Sequence, residues 1–572
     1  MQFTKSCLCI LFLTVSFFAR SQSTYLTQQS KHIHFIDRLE IKTGHVSDLN
    51  FTNTKPYDRR YAVQYLGSKV DSMLGVKPLF YNFDTALRLS NTDKYNLRSL
   101  YLNNQEWVKG DRSVFNSKKP LLKKLYPTPA GMFEKYGEDF FVVVNPMLDY
   151  RQMVELNNTD ENIFINRRGL SVRGGIDNKV GFAASVMDVQ ERGPLFVQNW
   201  INRYDAVPGG NFYKRFKTTG VDYIDARGYF TFRSNKYINF QAGYDRNFIG
   251  NGYRSLFLSD FAGNNLFVKI NTRFWKLNYQ NLFMELHKGV NNNSTSNLVP
   301  KKYATMHHLS MNITKWLNVG VFESVVFGRT NRFEFGYMNP IIFFRSIEGN
   351  LGSADNAMVG ADFKANLLKK VQVYGQLMID EFNFRKLRND SSGWWGNKTG
   401  LQLGFKYIDV ANIQNLDLQV EWNRVRPFTY SHFDSVSNYT HYNQPLAHPL
   451  GANFNEVIAI LRYQPFGKLN LTARMIYWTQ GLDSANGRNY GSDIFRLNGA
   501  GRTREFGYTL GAGVKSTGLN ANFLASYEIR ENIFIDANVL LRSLKIGNAA
   551  AQNTTMFGLG VRMNLWAREY DY

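Results

Sequence analysis

The sequence predicts an all-β protein: a transmembrane antiparallel β-barrel of about 16–18 strands, preceded by a small N-terminal helical segment. Three observations predict it. Aromatic residues make up 15% of the chain, yet mean hydropathy is −0.34. Beyond the first apolar run, no stretch approaches the ~20 apolar residues that a membrane helix needs. Many segments alternate apolar and polar side chains over the ~9–11 residues that a tilted strand takes to cross hydrocarbon.

The N-terminus reads as a secretory signal peptide over residues 1–21. Lys5 precedes an apolar run from Cys7 to Ala19, and "ARSQS" offers small residues for cleavage near Ser21. Both cysteines, Cys7 and Cys9, lie inside it, so the mature chain has no disulfide, thiolate nucleophile or cysteine metal ligand. Net charge is +22, and +20 without Lys5 and Arg20. For an exported chain with no recognition helix or single-strand-binding signature, no nucleic acid partner is expected. The charge points instead to lipopolysaccharide phosphates and outer-membrane lipid, to an acidic surface polysaccharide, or to a basic lumen.

Residues 22–138 read as a periplasmic or plug segment. "HFIDRLEI" looks extended. "YDRRYAVQYLGSKVDSML" places Ala62, Tyr65, Leu66, Val70, Met73 and Leu74 at helical spacing. "SNTDKYNLRSLYLNNQEWV" opens with capping residues and puts Leu97, Leu100, Tyr101 and Val108 on one stripe. Two short amphipathic helices are expected there. The Pro-rich "KKPLLKKLYPTPAG" then leads into the first strand.

Residues 139–572 read as the barrel. In "LFVKINTRF", Leu266, Val268, Ile270 and Phe274 share one face and Lys269, Asn271 and Arg273 the other; the phase slips at Phe274 and Trp275, as at a short turn. "LDLQVEW" sets Leu416, Leu418, Val420 and Trp422 against Asp417, Gln419 and Glu421. "IFIDANVLL" sets Ile533, Ile535, Ala537, Val539 and Leu541 against Asp536 and Asn538, and "ARGYFTFR" sets Phe230 and Phe232 against Arg227, Tyr229 and Arg233. A soluble sandwich would have to bury those charges in a dry core, whereas a polar lumen takes them. The last alternating segment, "MFGLGVRMNLW", ends at Trp566, an aromatic end suited to the barrel-assembly machinery.

Four long irregular stretches are expected at the extracellular end: Gly193 to Val221, Asn247 to Asn264, Arg329 to Asp355, and Pro427 to Asn453. The last contains "HYNQPLAHPLGANFNE", where Pro445 and Pro449 limit the backbone and Gly451 permits a sharp turn. Enzymatic motifs are missing. "GNGYRS" lacks the third glycine of a nucleotide loop, and there is no Walker sequence or Gly-x-Ser-x-Gly elbow. His432 or His441 with Asp434 and Ser431 or Ser435 is a spacing common to polar loops. His32 and His34 at i, i+2, and His441 and His448, have no third zinc-type ligand nearby. No enzyme activity, metal or cofactor is therefore expected.

"FIGNGYRSLFLSDFAG", "FKTTGVDYIDARGYFTF", and "RVRPFTYSH" with "HYNQPLAHPLGANFNE", on a long basic barrel behind a helical segment, resemble the Wzi-type capsule-assembly family. The larger, gliding-associated RemB-like members in the Bacteroidetes are the most similar subgroup. The resemblance implies an eighteen-stranded outer-membrane barrel, plugged by helices at the periplasmic end, acting as a surface lectin that attaches or organises capsular polysaccharide and supports adhesion and gliding motility.

A sugar site needs planar aromatics beside hydrogen-bonding side chains. The candidate glycan-binding residues are Tyr253, Arg254, Asp260, Arg424, Arg426, His432, Tyr439, His441, Tyr442 and His448. Trp394 with Trp395 is a further aromatic pair, although paired tryptophans in barrels also anchor the membrane interface. Arg424 and Arg426 suit lipopolysaccharide phosphates equally well. Two alternatives stand beside the lectin: a porin-like channel for anionic solutes or oligosaccharides, and an accessory of surface protein secretion or gliding components.

Overall fold

A computed structural model describes residues 23–27, 30–70, 89–108, 112–118, 124–158, 161–177, 179–289, 299–329, 332–341, 343–352, 355–383, 385–386 and 393–572. The signal-peptide reading, and the helical positions Met73 and Leu74, lie outside the described residues. Eighteen strands among them close into a single antiparallel barrel. The first nine are β1 (Phe140–Glu155), β2 (Ile163–Ile176), β3 (Val180–Arg192), β4 (Gly220–Arg233), β5 (Ile238–Asp245), β6 (Asn265–Phe274), β7 (Leu277–His287), β8 (Lys301–Asn312) and β9 (Leu317–Phe327). The others are β10 (Asn356–Leu367), β11 (Val371–Glu381), β12 (Lys398–Tyr407), β13 (Leu416–Val425), β14 (Phe454–Phe466), β15 (Leu469–Leu482), β16 (Val514–Arg530), β17 (Ile533–Ile546) and β18 (Gln552–Met563). Each pairs with the next, and β18 returns to β1 with Met556 opposite Glu155.

The alternation read from sequence sets the wall's two faces. Leu266 and Val268 are 51% and 45% exposed while Lys269, next in the strand, is 3% exposed. Asp417, Gln419 and Glu421 of β13 and Asp536 of β17 likewise point inward and are buried. An outward band of exposed Leu, Val, Ile and Phe belongs in hydrocarbon, because no soluble surface carries that much apolar area without a partner. The phase slip at Trp275 is the two-residue β6–β7 turn, with Trp275 at φ 53°.

Connections at one end are short: 177–179, 234–237, 275–276, 313–316, 368–370, 408–415, 467–468 and 531–532. At the other end two are short, 156–162 and 547–551, and seven run over 193–219, 246–264, 288–300, 328–355, 382–397, 426–453 and 483–513. The short-turn end is the periplasmic one in barrels of this kind. Besides the four expected stretches, 483–513 and 382–397 are therefore major loops.

One expected extracellular loop takes a different course. Residues 328–355 fold down the outside of the wall: the Tyr279 hydroxyl, near the periplasmic end of β7, donates to the Pro340 carbonyl. The loop's Phe344 ring lies 4.1 Å from His307, and its backbone N–H donates to Glu323 at 3.0 Å. Phe344 thereby covers an outward His307–Glu323 pair of 2.8 Å. Phe335, Ile341 and Phe343 are left exposed on the far side, so polar wall residues are exchanged for an apolar flap at membrane depth.

Inside the barrel, α1 (Lys31–Thr43), α2 (Arg59–Val70) and α3 (Asn91–Leu102) fill the short-turn end. Phe35, Ile36 and Leu39 of α1 pack with Ala62 and Val63 of α2 and with Leu97 and Leu100 of α3. Ser90 and Asp93 form a reciprocal capping box at the start of α3, as its sequence suggests. "HFIDRLEI", expected to be extended, lies within α1, whose N-cap Ser30 accepts from the His32 N–H. Its pattern misleads because the helix is enclosed on nearly all sides, so its polar residues face wall charges instead of water. Glu40 meets Lys364 at 2.8 Å, Asp37 meets Lys406 at 2.7 Å, and Lys31 meets Glu531 at 2.7 Å. Arg38 bonds Asp93 at 2.9 Å, Asp409 at 2.6 Å, and Asp417.

The segment after β18 also enters the lumen. The strand stops at Met563, short of the expected Trp566, because Asn564 at φ 53° turns the chain inward. Trp566 lies against Arg227, 5.1 Å from its ring centroid. Arg568 bonds Glu191 at 3.1 Å, Glu569 bonds Arg474, and Tyr570 and Tyr572 pack on Phe196 of α4 (Leu195–Tyr204).

Candidate functional site

Loop 426–453 is the structural centre of the extracellular end, and the wall holds it from below. Lys302 of β8 donates to the Asn438 carbonyl at 2.7 Å and to Thr440. Lys398 of β12 donates to the Ser431 carbonyl at 3.1 Å. The loop also interlocks with 246–264: the Tyr430 hydroxyl donates to the Leu256 carbonyl at 2.8 Å and the Tyr439 hydroxyl to the Phe257 carbonyl at 2.6 Å. Phe428 and Tyr430 both take positive φ, 64° and 73°, a backbone that bulky residues adopt only when the surroundings fix it. Gly451 turns at φ 70° against the Ser492 carbonyl, where a Cβ would lie 3.1 Å away.

The histidines of this loop are structural keystones. His448 Nε2 is 2.7 Å from Glu456 and fully buried. His441 accepts the His287 backbone N–H on Nδ1 at 3.0 Å and faces the Asn264 carbonyl with Nε2 at 3.1 Å. That pattern requires the neutral Nε2–H tautomer. Burial pushes the His441 pKa down to about 3, and burial with the nearby Lys398 charge pushes His432 to about 4.

A pH prediction follows from these two groups. Both protonate near 6.5 once released, so their stabilisation of the closed loop is complete above that pH and fades as pH falls towards their folded values. The loss is about 2 kcal/mol at pH 5 for a fully enclosed histidine. Hydrogen exchange over 426–453, corrected for intrinsic rates, is expected to accelerate between pH 7.5 and 5. Unchanged protection would contradict the assignment.

The other predicted positions separate into two groups. Tyr253 and Arg254 lie in the lumen, not at the surface: their backbone N–H groups donate to Glu421 at 2.7 and 3.0 Å, and both side chains bond Asp571. Burial alone would raise the Asp571 pKa, but Arg254 and Arg474 hold it below the ordinary carboxylate value. The Asp260 carbonyl accepts from Arg246 at 3.1 Å. Tyr442 stacks on His287 at 4.7 Å. Arg426 donates to the Asn397 carbonyl at 2.7 Å, whereas Arg424 is exposed on the outer face near the loop end. Tyr439, His441 and His448 are sealed from solvent, so their observed role is to order the loop.

A partly open aromatic surface lies where loops 382–397 and 483–513 meet. The Arg502 guanidinium sits 3.6 Å from the Trp395 ring centroid, and Trp394 packs against Trp395 at 5.8 Å. The Trp395 backbone N–H donates to the Glu505 carbonyl at 3.1 Å. Arg504 lies 5.6 Å from the Tyr508 ring. Trp394, Trp395 and Arg502 are half-buried and Arg488 and Arg504 exposed. Half-open rings flanked by guanidinium donors can stack on the apolar face of a sugar while hydrogen-bonding its hydroxyls. Sequence reasoning missed 483–513; its density of glycine and arginine between two alternating segments was the available signal.

The chain matches the model of the capsule assembly protein Wzi family over residues 131–539. No curated protein matches its sequence. Among solved structures it is similar to Wzi of Escherichia coli, described as an outer-membrane protein involved in group 1 capsule assembly and a carbohydrate-binding β-barrel. The TM-score is 0.54 at 11% identity, over 96% of this chain and all (100%) of that one. It also aligns with Pseudomonas aeruginosa OprD at TM-score 0.39 and 12% identity, over 74% and 94% of the two chains. With the family model covering most of the barrel, and an eighteen-stranded fold to match, the chain belongs to the capsule assembly protein Wzi family.

Proposed function

We propose that this protein is a non-enzymatic outer-membrane lectin that binds or organises capsular polysaccharide at its extracellular loops, and that this surface chemistry supports adhesion and gliding motility. The observation that carries the reading is the Trp395–Arg502 surface, an aromatic and cationic patch held on rigid loops above a filled barrel. The carbohydrate binding described for the Escherichia coli relative supports it. Exposed Arg424 on the outer face supplies a contact for lipopolysaccharide phosphates. The porin alternative draws support only from the basic lumen, which here is occupied by helices, loops and the segment after β18.

Replacing Trp395 and Arg502 together with alanine removes one stacking platform and one guanidinium, worth about 1–2 kcal/mol together. Polysaccharide binding by the purified protein is expected to weaken about 10-fold. The same variant in the native bacterium is expected to lose capsule retention and surface spreading together. Capsule retained at the normal level, with the variant correctly folded, would refute the site.

A further inference from the structure

Between the helical plug and the folded-in loops lies a lumenal chamber of about 430 Å³, within the range of small-molecule sites. Ten Lys and Arg line it against six Asp and Glu. Most of these charges are already paired, but three cations are not. Lys55 has no ion pair among the described residues and rests over the Phe248 ring at 4.7 Å. Arg462 of β14 donates to the neutral Gln419 amide oxygen at 3.1 Å and meets no carboxylate among the described residues. The Arg246 guanidinium bonds only carbonyl and amide oxygens among the described residues, among them Asn264 Oδ1 at 3.0 Å and the Asp260 carbonyl at 3.1 Å.

A second observation marks the same chamber. Arg474 is 5% and Arg254 7% exposed, yet the Nε and one Nη of Arg474, and the Nε of Arg254, have no hydrogen-bond partner. Buried donors left open this way cost stability unless a ligand or water takes them. The kind of group these arginines bind is visible on their satisfied side: Arg254 donates to the Asp571 carboxylate at 2.8 Å, and the Tyr253 hydroxyl donates to the same carboxylate at 2.6 Å. Rings of Phe248, Phe261 and Trp566 share the wall, offering apolar faces beside the cations.

We propose that this chamber is a second, internal binding site for an acidic sugar unit, its carboxylate held by Lys55, Arg462 and the open N–H groups of Arg474, its ring against the aromatic wall. Anion recognition follows from the unpaired cations and open donors, and the saccharide class rests on the surface-glycan reading.

The test uses the full chain in detergent, with D-glucuronate, inorganic phosphate and D-glucose as probes in titration calorimetry. Glucuronate is expected to bind, glucose to bind at least tenfold more weakly, and the Lys55→Gln/Arg462→Gln variant to bind glucuronate at least tenfold more weakly than the native chain. The single Arg462→Lys variant, which keeps the charge, is expected to retain most of the affinity and so separates ligand contact from a folding defect. Absence of glucuronate binding, or equal binding by the double variant, would overturn the site. Phosphate bound as tightly as glucuronate would overturn its assignment to a sugar. The Trp395/Arg502 variant is expected to leave this binding unchanged, so failure of the loop surface and failure of the chamber read out separately.

Discussion

Arg38→Met is expected to loosen the helical plug by about 3–5 kcal/mol, the cost of removing one partner from a buried charge cluster. Arg38 is 4% exposed and bonds three carboxylates, Asp93, Asp409 and Asp417. Methionine fills much of the volume but leaves those carboxylates facing one another with only Lys42 and His34 nearby. No disulfide ties the plug to the wall, the only cysteines being Cys7 and Cys9, so ion pairs and the small apolar core around Leu39 hold it. The native chain in a planar bilayer is expected to show no steady conductance, and the variant to show brief openings and faster proteolysis within α1 to α3. A variant as silent and as resistant as the native chain would show that the apolar core alone seats the plug.

Ending the chain after Ala567 should have the next largest effect. It removes Arg568, Glu569 and Asp571 together and leaves Glu191, Arg474 and Arg254 without their closest partners. Water entering the vacated lumen offsets part of this, leaving about 3 kcal/mol of local stability lost, or about 100-fold faster hydrogen exchange in 246–264. The barrel itself is expected to assemble, since β18 closes on β1 through residues that end at Met563. Asp571→Asn keeps the shape and is expected to show a smaller change. Equal exchange in all three chains would remove the segment from the list of lumen supports.

What could be read from the sequence tracks how each residue meets its surroundings. Strand faces were legible because lipid and lumen impose opposite chemistry every second residue; Val268 and Lys269 differ in nothing else. α3 was legible from its capping residues, which act within one turn. α1 was not, because Asp37, Arg38 and Glu40 pair with wall residues hundreds of positions away in sequence. The same distance hid the segment after β18, whose aromatics read as a strand end but pack on α4. In loop 426–453, histidines and prolines announced an ordered loop. They did not announce that Tyr439, His441 and His448 would be enclosed, since enclosure comes from Phe257 and Asn264 of loop 246–264, His287 at the end of β7, and Phe454 and Glu456 of β14. The Trp395–Arg502 surface brings together two loops about a hundred residues apart, and neither half carries a motif.

The inward path of residues 564–572 constrains the order in which the molecule is built. In the finished barrel the helices block one mouth and the interlocked loops the other, so this segment has no route in once the wall is sealed. Its contacts, Arg568 with Glu191 and Asp571 with Arg254, therefore have to form before both mouths are filled.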